Sequence, residues 1–197
     1  DFKRPIAERS QPLANGSFGD HVYYKKFGGF GQVTKSLLDE KLKRSVMNFM
    51  NIHSRFLFEQ RFYEERKEGI VSSKRLTQLM EEAIHEAYDG SLEQPSTYSW
   101  VWTPHYYITK SPFYNFPYTF GYLFALGIFE KAKEKGKEFE KDYLNLLRDS
   151  GSMTVEDLVM KHLGEDITLE EFWGKGMEMC VKDVEEFLKL TSSDDIE

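Results

Sequence analysis

HYYITKSPFYNFPYTFGYLFALGIF, His105 to Phe129, is the stretch on which the reading of the whole chain turns. Five of its residues are Tyr and five are Phe, with one His at the front and Pro112 and Pro117 fixing the backbone. Pro117 suits the first turn of a helix, and the run FPYTFGYLFALGIFEKAKEK predicts one that ends at Gly136. Its first half is apolar all round, the pattern of a helix buried between other helices, and its second half is a Lys/Glu face for solvent. The phenol hydroxyls set a further condition. Each one taken out of water needs a partner or costs about 1–3 kcal/mol. Clustered Tyr and His donors beside a Pro-defined turn suit a surface that binds peptide-like polar groups. The plainer reading is an aromatic core helix with its hydroxyl tips at the rim.

Outward from this stretch the pattern stays helical. Ser36-Leu-Leu-Asp39 reads as a capping box that opens a long helix running to about Lys67, with Gly69 as its stop. Leu38, Leu42, Val46, Phe49, Met50, Phe56, Leu57 and Tyr63 recur there at helical spacing. At about 1.5 Å per residue it would span close to 48 Å and serve as the spine. Ser72 or Ser73 caps the next helix, whose stripe is Leu76, Leu79, Met80, Ala83, Ile84 and Ala87, and Gly90 ends it. Ser91 to Thr103 is a connector in which Trp100 and Trp102 alternate about Val101 as in an extended segment, clamping it to the helices. Pro104 biases Thr103 away from helix, so His105 follows a break and is presented rather than buried. Helices over Glu138 to Arg148, from Thr154 to about Gly164, and from Thr168 to about Leu190 complete the series. The expected fold is all-α, a multi-helix domain over residues 36–191 with one long N-terminal helix. Any sheet would be confined to Trp100–Tyr107 or the first 35 residues.

Residues 1–35 read as a loop or arm, and 192–197 as a disordered tail. FGGFG, Phe27 to Gly31, follows no convincing strand and lacks a Lys-Ser/Thr ending, so it is not a phosphate loop. His85-Glu86-Ala87-Tyr88-Asp89 begins like a zinc helix but ends on Asp, which makes it a solvated helix flank. His53 is read as a hydrogen-bonded packing residue, His162 as a partner of a helix end, and His21 falls in the arm. Cys180, among Met177, Met179 and Val181, is a small core residue. A single cysteine allows no disulfide within the chain and fits a reducing compartment. The net charge of −7 argues against nucleic acid or an anionic membrane as main partner. No apolar run of membrane-spanning length occurs, so a cytoplasmic protein is expected.

YNFPYTFGYLFALGIFEKAKEKGKEFEKDYLNLLRDSG, followed by TVEDLVMKHLGEDITLEEFW and preceded by FMNIHSRFLFEQRFYEERKEGIVSS, resembles the C-terminal part of the oligoendopeptidase F family. These are zinc metallopeptidases related to thimet oligopeptidase, and the resemblance runs from about residue 36 to 190. It implies the substrate-side part of a zincin-type oligopeptidase fold that hydrolyses short peptides. By the same resemblance His105, Tyr114 and Tyr122 are the catalytic-side His and Tyr facing the scissile carbonyl, and Tyr107 and Tyr118 line the substrate cleft. The family's H-E-x-x-H zinc motif does not occur in these 197 residues. Zinc is therefore implied as cofactor with ligands in the rest of the peptidase chain, none in this one, and this piece alone is expected to be inactive. IAERS faintly resembles the segment with the family's third zinc ligand, but its neighbours do not fit, and Glu8 is not taken as one. The competing reading is a non-catalytic helical binding or scaffold protein that kept the fold and lost the metal.

Overall fold

The computed structural model describes residues 30–192. Glu8, His21, the arm before Phe30 and the tail after Ser192 lie outside them. The described chain is helical, with no strand among those residues, so the all-α expectation holds. Its contacts group into two units, one containing residues 30–42 and 183–192 and the other comprising 43–182. In the first, Lys41 Nζ donates to Asp183 Oδ1 at 3.0 Å and Leu38 is buried. The second carries everything that concerns the candidate site.

Helix α1 spans Phe30–Val46 and α2 spans Ile52–Lys67, joined by a π-helical turn over Met47–Asn51. The long helix thus begins six residues before the expected start at Ser36 and is interrupted in the middle. The Ile52 amide reaches back to the Met47 carbonyl, which spends one extra residue on the turn. A tertiary contact occupies this turn: Thr119 Oγ1 donates to the Asn48 carbonyl at 2.6 Å. Helix α3, Ser73–Ala87, starts as its sequence predicts, with Ser72 Oγ accepting from the Arg75 amide at 3.2 Å. Leu79, Met80, Ala83 and Ile84 of its stripe join Phe58 and Tyr106 in one buried core, against which Leu57, Phe62, Leu76 and Trp100 pack.

The connector departs from expectation. Ser99–Trp102 is a single helical turn rather than an extended clamp, and only Trp100 is held, its Nε1 donating to Thr77 Oγ1 at 3.2 Å. Trp102 is exposed. Residues two apart in a helical turn are rotated about 200° from each other, so Trp100 and Trp102 cannot grip the same surface. Pro104 behaves as predicted: Thr103 is extended, at φ −84° and ψ 102°, and Pro104–Tyr107 forms one 3-10 turn.

Helix α4, Phe116–Lys135, carries the aromatic run and stops at Gly136 with φ +61°. It is less buried than the all-round apolar pattern suggests. Only Gly127 is fully enclosed, while Phe120 and Phe124 are half-buried and Phe116 and Tyr118 are exposed. Aromatic side chains are large and seldom lose all their surface. Here they share one flank, Phe120 stacking on Phe124 at 5.8 Å and meeting Trp173 at 5.4 Å. Helices α5, Phe139–Asp149, α6, Val155–Leu163, and α7, Glu170–Ser192, close a second core of Phe139, Leu146, Leu158, Val159, Leu163, Ile167 and Phe172. Thr154 caps α6 as expected, and Gly164 ends it in the left-handed region. Thr168 does not cap α7. Its amide and hydroxyl both bind Asp166 Oδ1, at 2.9 and 2.6 Å, because an Asx turn there outcompetes the capping box. Cys180 is buried, as read from sequence, whereas His53 is exposed and not a packing residue, since its side of α2 faces away from Ile52, Ser54 and Phe58.

α4 and α7 come together where each presents a glycine to a side chain of the other. A Cβ on Gly127 would lie 2.6 Å from Phe172 Cζ, and one on Gly176 2.9 Å from Leu126 Cβ. Phe172 is 3% exposed and boxed in by Phe124 and Trp173, so its ring has nowhere to go. Gly127→Ala is expected to destabilise by about 1–3 kcal/mol through overpacking, read by urea unfolding. A change within about 0.5 kcal/mol would remove this contact from the account.

Asp149, ending α5, receives Lys161 Nζ at 2.6 Å and His162 Nε2 at 2.8 Å from the last turn of α6. Lys161 first, then His162, holds its carboxyl below the ordinary aspartate range. A depressed native pKa adds stability above the unfolded value and loses it as pH falls through the native one. Asp149→Asn should therefore lower the melting temperature at neutral pH, with the gap to the parent closing below about pH 3.9. A gap that persists in acid would show that the ion pair contributes nothing.

Candidate functional site

The 3-10 turn and the turn after Pro112 bring one group of predicted residues together. The His105 ring lies 4.3 Å from the Tyr114 ring, their planes 31° apart. Tyr114 meets Tyr118 nearly edge-on at 6.0 Å. His105 is half-buried, while Tyr114 and Tyr118 keep 44% and 50% of their surface open. The three form a ladder whose polar edges reach solvent. That placement is the one a ligand could use: two phenols and an imidazole share one surface on a backbone set by Pro104, Pro112 and Pro117. The Tyr114 hydroxyl beside Tyr118 raises the Tyr118 phenol pKa above its ordinary value, chiefly by hydrogen bonding.

Tyr107 and Tyr122 stand apart from the ladder. Tyr107 is exposed, and its hydroxyl donates to the Trp100 carbonyl at 2.8 Å, which ties the helical turn Ser99–Trp102 to the 3-10 turn. Tyr122 lies one turn beyond Tyr118 on α4 and so projects from the same side of the helix. It is half-buried rather than enclosed, edge-on to Phe49 at 5.4 Å, with its hydroxyl 3.0 Å from Ser45 Oγ. Ser45 also donates to Cys180 Sγ at 3.6 Å.

Sequence reasoning passed over the groups beneath the ladder. Glu59, on α2, has no exposed surface. Its Oε1 accepts from the Tyr63 hydroxyl and from the Phe113 amide, each at 2.7 Å. Burial, then the bond to Glu59, pushes the Tyr63 phenol up to about 12. Tyr106 is buried with its ring 4.8 Å from Phe58, and desolvation raises its phenol pKa as well. Asn115, just before α4, is also buried. The signal for Glu59 was present: it falls between Phe56 and Tyr63 at spacings of three and four, an acid inside an apolar stripe.

Elsewhere several charged groups are paired. Across α2 and α3 an open depression is lined by Arg61, Arg75, Glu82, His85 and Glu86. In it Arg61 binds Glu86, and Arg75 binds Glu65 at 2.6 Å and Glu82 at 2.9 Å. His85 sits there on an exposed flank, as its sequence indicates. Among the described residues no three His, Cys, Asp or Glu side chains are grouped so as to hold a metal ion. None of the helices among them is long and apolar enough to cross a membrane.

Comparisons with protein-family models, with curated proteins and with solved structures each give no match.

The ladder makes a titration testable. Tyr118 should lose its proton above the free tyrosine value of about 10, and Tyr114→Phe should bring it back down, because the partner hydroxyl goes and the ring stays. Ultraviolet or NMR titration reads this directly. An unchanged Tyr118 pKa in Tyr114→Phe would place the two hydroxyls apart in solution.

Proposed function

We propose that this chain is the C-terminal, substrate-facing portion of a zinc-dependent oligoendopeptidase that hydrolyses short peptides. The observation that carries the reading is the His105–Tyr114–Tyr118 ladder, an open row of hydrogen-bonding rings on a Pro-fixed backbone. A peptide offers carbonyls and amides at regular spacing along an extended backbone, and phenol and imidazole groups can donate to the first and accept from the second. Tyr122, further along α4, is assigned the donor to the scissile carbonyl, and Tyr107 the wall of the cleft beside Trp100. A donor fixed on a helix acts most where negative charge develops on that carbonyl, which favours the transition state over the bound peptide.

The described residues do not fit zinc as ligands. In this reading the metal is held by the rest of the peptidase chain, and the residues of this chain bind and orient the peptide. The location assigned is cytoplasmic, in keeping with the single cysteine.

A second reading, a helical binding or scaffold protein without catalysis, is favoured by the Tyr122–Ser45 contact. A hydroxyl at the rim of a core would make the same bond. Steady-state kinetics of the full-length protein on one fluorogenic peptide separates the two, with thermal melting as the folding control. Tyr122→Phe is expected to cut turnover by about 10²–10³-fold with little change in KM. Tyr114→Phe is expected to raise KM at least as much as it lowers turnover, and His105→Ala to impair both. Full turnover in Tyr122→Phe with an unchanged melt would sink the catalytic reading. The chain on its own is expected to retain no zinc through dialysis and to cleave no peptide. One zinc per chain by elemental analysis would overturn that assignment of the ligands.

A further inference from the structure

Of the two ends of the ladder's first contact, His105 is set by the Pro104 turn, but Tyr114 follows Phe113, a non-glycine residue at φ +53°. An L-residue in the left-handed region does not stay there unassisted, and something must hold it. Two features of the structure act on Phe113. Its ring is wedged between Phe56 and Tyr63, at 5.3 Å from each. Its amide donates to Glu59 Oε1 at 2.7 Å. The carboxylate is anchored on the regular backbone of α2 and has no exposed surface, so water does not compete for the bond. The same oxygen takes the Tyr63 hydroxyl at 2.7 Å.

We propose that Glu59 is the positioning residue of the aromatic ladder: by taking the Phe113 amide it fixes the turn that brings Tyr114 onto His105. Only the use of this positioning, presenting the rings to a peptide, rests on the peptidase reading. The contact itself stands without it. A ring wedge alone would let the Phe113 peptide unit rotate about its neighbours, whereas an amide held at a fixed acceptor fixes the direction in which residue 114 leaves. The Tyr114 ring is 44% exposed, and its ring contacts are with the half-buried His105 and the exposed Tyr118.

The test is made on the whole chain without peptide, so it is independent of any activity. The face of the Tyr114 ring lies over His105 and shifts the imidazole proton resonances. Those resonances are assigned through His105→Ala, and Tyr114→Ala gives the size of complete loss. Glu59→Gln keeps a side-chain oxygen as acceptor and is expected to keep most of the shift. Tyr63→Phe leaves the Phe113 bond in place and is expected to do the same. Glu59→Ala is expected to lose it to the level of Tyr114→Ala, while the methyl resonances of Leu158 and Val159 in the other core stay in place. A folded Glu59→Ala that keeps the shift overturns the proposal, as does a Glu59→Gln that loses as much as Glu59→Ala. Should Glu59→Ala not fold, Phe113→Ala decides: it keeps the amide and deletes the wedge. Retention of more than half the shift supports Glu59, and complete loss assigns the turn to ring packing and overturns the proposal.

Discussion

The crossing of α4 and α7 depends on the absence of two side chains. Gly127 and Gly176 let the helices approach until the Phe172 ring lies against the α4 backbone and Leu126 against α7. Interiors are packed too tightly for such a contact to be adjusted piecemeal, because a ring displaced by one methyl group displaces its own neighbours. Phe172 therefore sets the height of α4, and with it the line on which Phe120 and Phe124 stack and from which Tyr118 and Tyr122 project. The second core, α5 and α6 included, gathers around the same ring.

The opposite end of α4 is placed by polar contacts instead. Thr119 bonds the Asn48 carbonyl in the π turn, and Tyr122 meets Phe49 and Ser45 on the same stretch. Glu59 draws in the segment just before α4. Directional bonds suit this end because the residues beyond it are open to solvent, where apolar packing has little area to bury. One element thus joins a rigid apolar seat at its middle to a hydrogen-bonded mount at its start, and the exposed rings lie at that start.

Much of the architecture was legible in the sequence, because helix periodicity and caps are local. Ser72, Thr154, Pro117, Gly136 and Gly164 each act where the pattern placed them. The misreadings came from places where local signals compete or where tertiary contacts decide. Asp166 took Thr168 from its cap, and the two Trp of the connector read as a strand because alternation over three residues also fits a helical turn. The all-round apolar run in α4 overstated its burial, since composition carries no information on which neighbours arrive. Of the site residues, His105, Tyr114 and Tyr118 come together, whereas Tyr107 and Tyr122 turn to Trp100 and Ser45. The residue beneath them, Glu59, was visible only as an acid out of place in an apolar stripe.

The π turn at Met47–Asn51 also keeps phase between the two halves of a long helix. Residues in an α-helix advance by about 100° each, so one extra residue wound as α-helix would turn Ser45 by that amount relative to Phe58 and Glu59, and the π turn absorbs it. Phe58 and Glu59 on one side and Ser45 on the other are in correct azimuth together only because that residue is spent. Winding the turn as regular α-helix with every residue kept would swing Ser45 away from Tyr122. The irregular turn lets the end of α1 and the body of α2 each meet its own partner, Tyr122 for Ser45 and the Phe113 amide for Glu59.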